Sequence, residues 1–335
     1  MNFFVILQTR AMKRINWIDW GKAIAVTTVV FCHIPQSQEW FYFRYLQSCI
    51  ITIFFFISGY LKNDRDDAAE QWSKYWRSLV KPYVICNLLV YPYWFVKFSM
   101  QQGSVPTVQE AIKPIVESLL LQPLDGPLWY LPAILIMHLL IDATRRSRYF
   151  HAIMTAMCIL SFFLYAGNKY WYFAPELVPM GLFRRLPYYY IGYLMGRQML
   201  FRDVSMPRDA LRCVCCLAAS LLLFYWHLAE DHFLLHIALF YPVNFLFLFG
   251  VLSGCKLLDA HVPRFVFRLS VGTLMVIGFH MVLITCANFG IAHLLHVDKI
   301  CYHWYEALPL SLLIVAMLYP LIALADKHFP SLLGH

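Results

Sequence analysis

The chain is 335 residues long, and 61% of it is hydrophobic, 17% aromatic and only 14% charged. Soluble domains average about 45–50% apolar and about 25% charged residues, so this composition excludes a soluble globular protein. The formal net charge of +8 would suit nucleic-acid binding. However, the basic residues lie in the short connections between apolar segments, so nucleic acid is not an expected partner.

Ten apolar segments are long enough to cross a bilayer, which takes about 20 mostly apolar residues per helix. We place them at residues 18–36, 42–61, 82–100, 127–143, 150–167, 183–200, 211–228, 236–254, 270–290 and 307–325. The longest outer connection, 101–125, is expected to lie across the mouth of the bundle. The sequence therefore predicts an all-α, polytopic membrane helix bundle of about ten transmembrane helices. It forms one membrane domain at 14–326, followed by a short tail at 327–335.

Most of the 27 Lys and Arg residues fall in alternate connections. These connections hold Arg10, Lys13, Arg14 and Lys22, then Lys62, Arg65, Lys74, Arg77 and Lys81, then Arg145, Arg146 and Arg148, then Arg197, Arg202, Arg208 and Arg212, and finally Lys256, Arg264, Arg268 and Lys327. The positive-inside rule places such connections, together with both termini, in the cytoplasm. We therefore expect a multi-pass protein of the inner (plasma) membrane.

Residues 1–13 form an N-terminal extension. Met1 to Ala11 hold an apolar run that is too short for a signal peptide and lacks a small-residue cleavage site. Met12 followed by two basic residues, directly before the first long apolar segment, would be a natural start. We therefore expect that residues 1–11 result from a mis-assigned start.

The ten cysteines favour neither a metal site nor a disulfide framework. They do not form the two C-x-x-C pairs of a typical zinc site, and most of them lie in apolar segments. Buried free cysteine behaves as a small hydrophobic residue. We therefore expect free thiols and no metal.

The first apolar segment contains ionisable residues, which are costly inside a membrane and mark functional sites by default. Lys22 and His33 are separated by close to three helical turns, so they lie on one helix face about 16 Å apart along the axis. Asp19 lies one turn before Lys22, within reach of an ion pair. The alternative is a snorkelling Lys22 with a structural His33. Snorkelling explains Lys22 but leaves His33 unexplained.

Two later segments contain polar and aromatic candidates. Ser58 and Tyr60 end the Phe-Phe-Phe-Ile-Ser-Gly-Tyr run at 54–60, although small residues there also favour close helix packing. Trp129 and Tyr130 belong to Gly-Pro-Leu-Trp-Tyr-Leu-Pro at 126–132, and we expect them to face the outer mouth. Membrane anchoring explains these two aromatic residues as well as ligand binding does.

Three further basic or titratable residues stand out on the expected outer side or within a span. Arg184 and Arg185 break the charge rule, so we expect an anionic ligand, a paired carboxylate such as Glu176, or outer-leaflet headgroups beside them. His280 lies within the ninth span, where a lone histidine is only suggestive.

Taken in order, these segments resemble the acyltransferase 3 family of integral-membrane O-acyltransferases over residues 14–325. Lys22 and His33 match its Arg/Lys-x10-His signature. The runs at 54–60, 126–132 and 187–193 and the Gly-Phe-His at 278–280 follow in the family's order.

The Ile-Asp-Trp-x-Lys opening at 18–22 is similar to the fucose 4-O-acetylase-like branch of this family. Two departures stand out. Many members have Arg where this chain has Lys22, and lysine lacks the bidentate phosphate recognition of arginine. Residues 49–53 replace a His-Met-Pro that is frequent in the branch, so the acceptor preference is expected to differ.

The resemblance implies an O-acetyltransferase that moves an acyl group, usually acetyl, from cytoplasmic acyl-CoA to a hydroxyl of a cell-surface glycan or glycolipid. It implies that His33 is catalytic and that Lys22 helps to hold the donor. Because a sugar hydroxyl is a weak nucleophile, His33 is expected to act as general base. We add Asp19 and Arg77 as donor-binding candidates. Acceptor or oxyanion candidates are Ser58, Tyr60, Trp129, Tyr130, Arg184, Arg185 and His280.

Acetyl-CoA is the expected co-substrate, no metal is expected, and a glycan or lipid-linked saccharide and membrane lipids are the expected partners. Direct attack and a transient acetyl-His33 both fit the sequence. A transporter or flippase for a lipid-linked sugar is the main alternative, although we find no two-fold internal repeat. A non-catalytic membrane scaffold would tolerate replacement of His33 and Lys22.

Overall fold

The computed structural model describes residues 14–36, 40–64, 67–119, 122–124, 126–171, 180–229, 233–297 and 300–334. The expected N-terminal extension therefore lies outside the described residues. Within these ranges the chain is an all-α bundle, and the only β pairing is an isolated bridge between Gln36 and Tyr302. The predicted fold class is confirmed.

The bundle contains helices of very different length, from eight residues in α4 to 25 residues in α11 and α14. The helices are α1 (Asn16–His33), α2 (Phe41–Cys49), α3 (Ile51–Tyr60), α4 (Ala68–Tyr75), α5 (Lys81–Gln102), α6 (Val108–Leu119), α7 (Tyr130–Thr144), α8 (Phe150–Trp171), α9 (Met180–Arg197), α10 (Met206–Ala229), α11 (Phe233–Leu257), α12 (Arg264–Val271), α13 (Thr273–Leu295) and α14 (Trp304–His328). A π-helical turn (Trp76–Val80) joins α4 to α5, and 3-10 turns occupy Gly126–Trp129 and Pro330–Leu333.

Among the described residues, seven helical stretches are long and apolar enough to cross a membrane. They are Phe41–Tyr60, Ala68–Gln102, Gly126–Thr144, Met206–Trp226, Ala238–Leu257, Thr273–Leu295 and Trp304–His328. The first helix, α1, is not among them and carries Asp19 and Lys22. The apolar part of α8, Phe150–Leu164, is shorter than a span. The structure thus has a polytopic bundle, and the count of ten crossings stays a prediction.

The basic connections meet at one end of the bundle. Lys62, which follows α3, bonds to Asp142 near the end of α7 (Nζ–Oδ1 2.7 Å). Arg197, at the end of α9, pairs with Asp64 (2.8 Å). These residues are far apart in sequence, so their contacts bring the connections together on one surface, which we call the basic face. The positive-inside rule predicts that the basic face is the cytoplasmic one, and this orientation stays a prediction.

Two glycine contacts lock α3 against α9. A Cβ on Gly59 would lie 2.1 Å from the Tyr189 carbonyl oxygen, and a Cβ on Gly192 would lie 2.2 Å from the Phe56 carbonyl oxygen. Only glycine permits such an approach of two helix backbones, and small residues are the usual means of close helix packing in membranes. The helix-packing interpretation of the 54–60 run is confirmed, and α3 becomes a rigid wall of the bundle.

The chain after α5 turns back into the bundle and does not lie across its mouth as expected. α6 packs antiparallel to α5, where the Tyr91 hydroxyl donates to the Ala111 carbonyl (2.9 Å). Deeper along α5, the Asn87 Oδ1 accepts bonds from the Ser118 hydroxyl (3.2 Å) and from the Leu124 amide (3.0 Å). Asn87 lies about 22 Å of helical rise before the end of α5. Leu124 is therefore well inside the bundle.

This re-entry places residues 126–132 in the interior. Leu128 is fully buried and approaches Gly278 of α13, where a Cβ would lie 3.6 Å from a Leu128 methyl carbon. From there α7 continues toward the basic face. The fourth apolar stretch, Gly126–Thr144, thus begins inside the bundle with a 3-10 turn and continues as α7. Non-helical backbone inside a membrane bundle is tolerated only where other protein groups satisfy its hydrogen bonds. Asn87 does this for the Leu124 amide.

Outside the bundle, α6 begins with a capping box. The hydroxyl (2.7 Å) and the backbone amide (2.9 Å) of Thr107 both donate to the Glu110 carboxylate. These two bonds, the hydroxyl bond most, lower the pKa of Glu110. Such reciprocal capping satisfies otherwise unpaired amides at a helix start. The start of α6 is therefore defined locally, although its direction depends on α5.

We predict that Gly192→Ala destabilises the protein by about 1–3 kcal/mol, as overpacking does elsewhere. The added methyl group meets the Phe56 carbonyl and forces α3 and α9 apart. The thermal unfolding temperature in detergent measures the effect. The matched control is Gly290→Ala in α13, where nothing lies within 4 Å of the added carbon. Equal melting temperatures for the two variants would contradict the close contact.

Candidate functional site

Lys22 and His33 lie on the single continuous helix α1 and line two different cavities. Lys22 lines a cavity of about 520 Å³ that opens at the basic face. His33 lines a second cavity of about 410 Å³ near the other end of the helix. We call these the inner cavity and the outer cavity. The spacing of Lys22 and His33 thus places each at its own end of the bundle.

The inner cavity has a predominantly basic wall. Arg14, Lys22, Lys62 and Lys74 line it together with a single carboxylate, Asp19. The four cations come from four parts of the basic face: the chain before α1, α1 itself, the connection after α3, and α4. An excess of cations in a concave site focuses positive potential and attracts anions.

The expected ion pair between Asp19 and Lys22 is not formed. The Arg14 guanidinium binds Asp19 with two bonds, Nε at 2.6 Å and Nη2 at 2.8 Å. The Ser270 hydroxyl donates a third (2.5 Å). A two-point guanidinium contact is stronger and more specific than a contact with an ammonium group. In the described part of the chain, Lys22 has no hydrogen-bond or ion-pair partner, so its ammonium is left for a ligand.

Arg77 does not line the inner cavity. Its guanidinium is exposed and bonds to the Ser73 carbonyl (3.3 Å) and hydroxyl (3.2 Å) on its own helix. Lys74, one turn earlier, lines the cavity instead. Lys74 and Arg77 point in different directions from this helical segment, and only Lys74 points into the cavity. The charge pattern of the connection does not show which of the two residues does so.

The outer cavity combines His33 with polar and aromatic groups. Gln47 of α2, Trp129 before α7, and Arg185 of α9 line it. Arg185 is almost fully buried, and its Nη1 donates a long bond to the Ser48 carbonyl (3.4 Å). The outer cavity thus brings His33 together with three sequence-predicted residues, Trp129, Tyr130 and Arg185.

The His33 ring has a defined tautomer. Its Nδ1 lies 2.8 Å from the Val29 carbonyl oxygen, and a carbonyl only accepts, so Nδ1 carries the proton. In the neutral ring the lone pair is then on Nε2. His280 of α13 packs edge-on against His33, with ring centroids 4.9 Å apart. Its own Nδ1 bonds to the Val276 carbonyl (2.6 Å).

His280 therefore supports His33 from behind and does not line the outer cavity. It is fully buried, and its Nε2 has no hydrogen-bond partner among the residues that the structure describes. The ring contact restricts the rotation of His33 because α13 is packed along α1. The structure thus brings His280 to the catalytic candidate, but as a packing partner of the imidazole.

Two other sequence candidates lie away from both cavities. The Tyr60 hydroxyl donates to the Leu200 carbonyl (2.9 Å) at the basic face. The Arg184 guanidinium lies over the Phe240 ring (5.4 Å). Glu176, the expected carboxylate partner of the arginine pair, is outside the described residues. Neither Tyr60 nor Arg184 lines the cavity that contains His33.

Two aromatic side chains, Phe54 and Tyr130, lie between the two cavities, and we call them the partition. Phe54 and Tyr130 line both cavities, and their rings pack edge-on with centroids 5.7 Å apart. The Tyr130 hydroxyl is bonded to the Ser58 hydroxyl (2.7 Å) and lies 3.3 Å from the Phe54 carbonyl oxygen. Ser58 lines only the inner cavity. Tyr130 thus lies between the two cavities and lines the outer one as well as the inner one.

Sequence reasoning missed His138 and Gln47. His138 of α7 lines the inner cavity, and its Nδ1 is hydrogen-bonded to the Tyr189 hydroxyl (2.5 Å). His138 lies eight residues after Tyr130 in α7, and residues at four-residue steps share one helix face. This spacing is the sequence signal that could have identified it. Gln47 is exposed on a short helix and has no comparable signal.

The comparisons with known proteins identify one match. The model of a family described as acyltransferase domain matches residues 15–325, which includes all the candidate residues above. No curated protein and no solved structure matches the chain.

We predict that the two cavities are accessible from opposite sides of the membrane. In a background without the ten native cysteines, Gln47→Cys should react with a membrane-impermeant thiol reagent only from the outer side. Lys74→Cys should react only from the basic face. Sealed vesicles of both orientations provide the measurement.

Removing the partition should abolish this separation. In Tyr130→Ala, the Gln47→Cys thiol should become reactive from the basic face as well, because the ring that divides the cavities is gone. If Gln47→Cys already reacts from both sides with Tyr130 present, the two cavities are continuous and the partition does not separate them.

Proposed function

We propose, since this chain belongs to the family of membrane acyltransferases whose domain covers residues 15–325, that it transfers an acetyl group across the bundle. The donor is cytoplasmic acetyl-CoA, and the acceptor is a hydroxyl of a cell-surface glycan or lipid-linked saccharide. The observation that carries this proposal is the arrangement along α1. Within the described ranges, the Lys22 ammonium in the inner cavity and the His33 Nε2 in the outer cavity have no hydrogen-bond partner.

The donor binds in the inner cavity in this proposal. Coenzyme A carries several phosphates, and the wall of this cavity contains four cations against one carboxylate. Arg14 is engaged with Asp19, and Lys62 with Asp64 and Asp142. Lys22 is the cation that has no such partner in the described chain, so it is the group best placed to bind a phosphate. Asp19 then acts by holding Arg14 in the cavity wall.

The thioester reaches His33 by passing the partition. The distance along α1 from Lys22 to His33 is about 16 Å, and the wall between the two cavities is made by the Phe54 and Tyr130 rings. We infer that the Tyr130 ring turns aside when the acyl arm enters, since the α3 backbone that carries Phe54 is locked against α9. Closure after transfer keeps water and free coenzyme A apart from the acceptor.

His33 acts as general base in the outer cavity. Its Nε2 takes the proton of the acceptor hydroxyl as the oxygen attacks the thioester carbonyl carbon. The C–S bond then breaks, and the coenzyme A thiolate leaves and recovers the proton from the imidazolium. The product is an acetate ester with free coenzyme A. The Nδ1 bond to Val29 and the His280 ring keep Nε2 directed to the reaction.

Trp129 is the best-placed donor for the developing oxyanion. Its indole lines the outer cavity beside His33, and its Nε1–H has no hydrogen-bond partner in the described residues. A preorganised N–H donor stabilises the charge that develops on the carbonyl oxygen. Arg185 and Gln47 lie in the same wall and are the candidates for acceptor binding.

One observation favours the transporter alternative. The stretch Gly126–Thr144 begins inside the bundle with a 3-10 turn before α7, and interrupted helices beside two opposed cavities are typical of transporters. Donor dependence separates the two functions. A transferase requires acyl-CoA and forms an ester, whereas a transporter or flippase moves its substrate without either.

We predict that His33→Gln lowers acetyl transfer by about 10²–10⁴-fold, the usual contribution of a general base. The assay follows labelled acetyl from acetyl-CoA into base-labile esters of a host glycolipid extract, in membranes with equal amounts of folded protein. The control is His293→Gln, an exposed histidine near the end of α13 that lines neither cavity. Full activity of His33→Gln would refute the general-base role.

We predict that Lys22→Met raises the KM for acetyl-CoA by about 10–100-fold with little change in kcat. A charge-assisted hydrogen bond contributes about 1.5–3 kcal/mol, and each 1.4 kcal/mol is about tenfold in affinity. Lys22→Arg should retain most of the donor affinity. Lys113→Met, at an exposed lysine of α6, is the control. An unchanged donor KM in Lys22→Met would place the phosphates elsewhere.

A further inference from the structure

A second basic pocket lies on the basic face, separate from the inner cavity. It has a volume of about 560 Å³ between the connection 198–205, α10 and α11. Arg202, Arg208, Arg212 and Lys256 line it with one acidic residue, Asp203. None of its lining residues lines the inner or the outer cavity.

Two of these cations are held in place by a carboxylate behind the wall. Asp209 is fully buried, and it pairs with Lys256 (Nζ–Oδ1 3.2 Å) and with Arg212 (Nη1–Oδ1 3.5 Å). The Phe201 ring lies under both of them, 4.5 Å from Lys256 Nζ and 5.2 Å from the Arg212 guanidinium carbon. These contacts fix the back of the pocket.

The other two cations have no carboxylate partner among the described residues. Arg208 Nη2 donates to the Asp203 carbonyl (3.3 Å), and Arg202 Nη1 contacts the Met199 sulfur (3.5 Å). Both arginines are exposed at the rim. Guanidinium groups with free N–H donors on a preorganised wall are suited to the oxygens of a phosphate.

The connection that carries this rim is conformationally strained. Met199 (φ 52°) and Phe201 (φ 66°) are both in the left-handed region, which non-glycine residues rarely adopt. Strained backbone persists only where its surroundings over-determine it, and ligand clamps are one such place. Here the strain turns the Phe201 ring toward Lys256 and Arg212.

The surroundings of the rim are apolar and exposed. Leu200, Val204, Met206 and Leu211 all present large hydrophobic side chains to the outside. A soluble phosphate compound would leave these side chains in water. A phospholipid would cover them with its acyl chains while its headgroup enters the pocket.

We propose that this pocket binds the phosphate of an anionic phospholipid of the cytoplasmic leaflet. Basic pockets between membrane helices on this side are suited to such headgroups. The Phe201 ring also packs on Trp17 at the start of α1, with centroids 5.6 Å apart. An occupied pocket therefore braces the helix that carries Lys22 and His33. Lipid binding itself is independent of the reaction proposed above.

The test compares lipid binding by the whole protein in detergent with phosphatidylglycerol and with phosphatidylcholine. Native mass spectrometry counts bound lipid, and thermal unfolding measures the stabilisation. We expect phosphatidylglycerol to bind and to raise the unfolding temperature more than phosphatidylcholine does. The double variant Arg202→Gln/Arg208→Gln should bind it about thirtyfold more weakly, the contribution of two basic residues near an anionic surface.

The matched control removes two other exposed arginines of the basic face, Arg264→Gln/Arg268→Gln in α12. An equal loss of phosphatidylglycerol binding in the control would overturn the proposal, because bulk electrostatic attraction would then explain it. Inorganic phosphate is the third probe. Stabilisation by phosphate at the same concentration as the lipid, abolished by the same double variant, would show a soluble anion site and would equally overturn the lipid assignment.

Discussion

Every peptide group inside an apolar bundle needs a hydrogen-bond partner within the protein. The non-helical residues 122–124, before α7, take such a partner from another helix. Asn87 meets part of this need by accepting from the Leu124 amide. Because the chain can break at this depth, residues 126–132 lie in the interior and Tyr130 reaches Phe54 and Ser58. The division of the bundle into two cavities follows from this one arrangement.

The rigid wall opposite Tyr130 has a different origin. Gly59 and Gly192 allow α3 and α9 to touch backbone to backbone, so Phe54 is carried on a helix that has little room to shift. The Phe54 side of the partition is therefore fixed by helix packing, whereas the Tyr130 side directly follows the 3-10 turn Gly126–Trp129. In the proposed transfer, the Tyr130 side chain is therefore the part of the partition that moves.

Charge is distributed on the basic face in two ways that have different consequences. In the inner cavity, Asp19 is bound by Arg14 and Ser270, which leaves Lys22 without a partner in the part of the chain that the structure describes. In the second pocket, buried Asp209 anchors Lys256 and Arg212 and leaves Arg202 and Arg208 exposed at the rim. In both places a carboxylate organises some cations and makes others available to a ligand.

The amino-acid sequence by itself determined the all-α membrane class, the gathering of basic residues in the connections between apolar segments, and the common helix of Lys22 and His33. These follow from composition and from periodicity within single segments, which are local properties. Only the tertiary structure decided that Asp19 pairs with Arg14, that Lys74 replaces Arg77 in the cavity, and that α6 returns along α5. The reason is physical: a helix's own periodicity fixes which residues share a face, but the partner of that face depends on packing between segments distant in sequence.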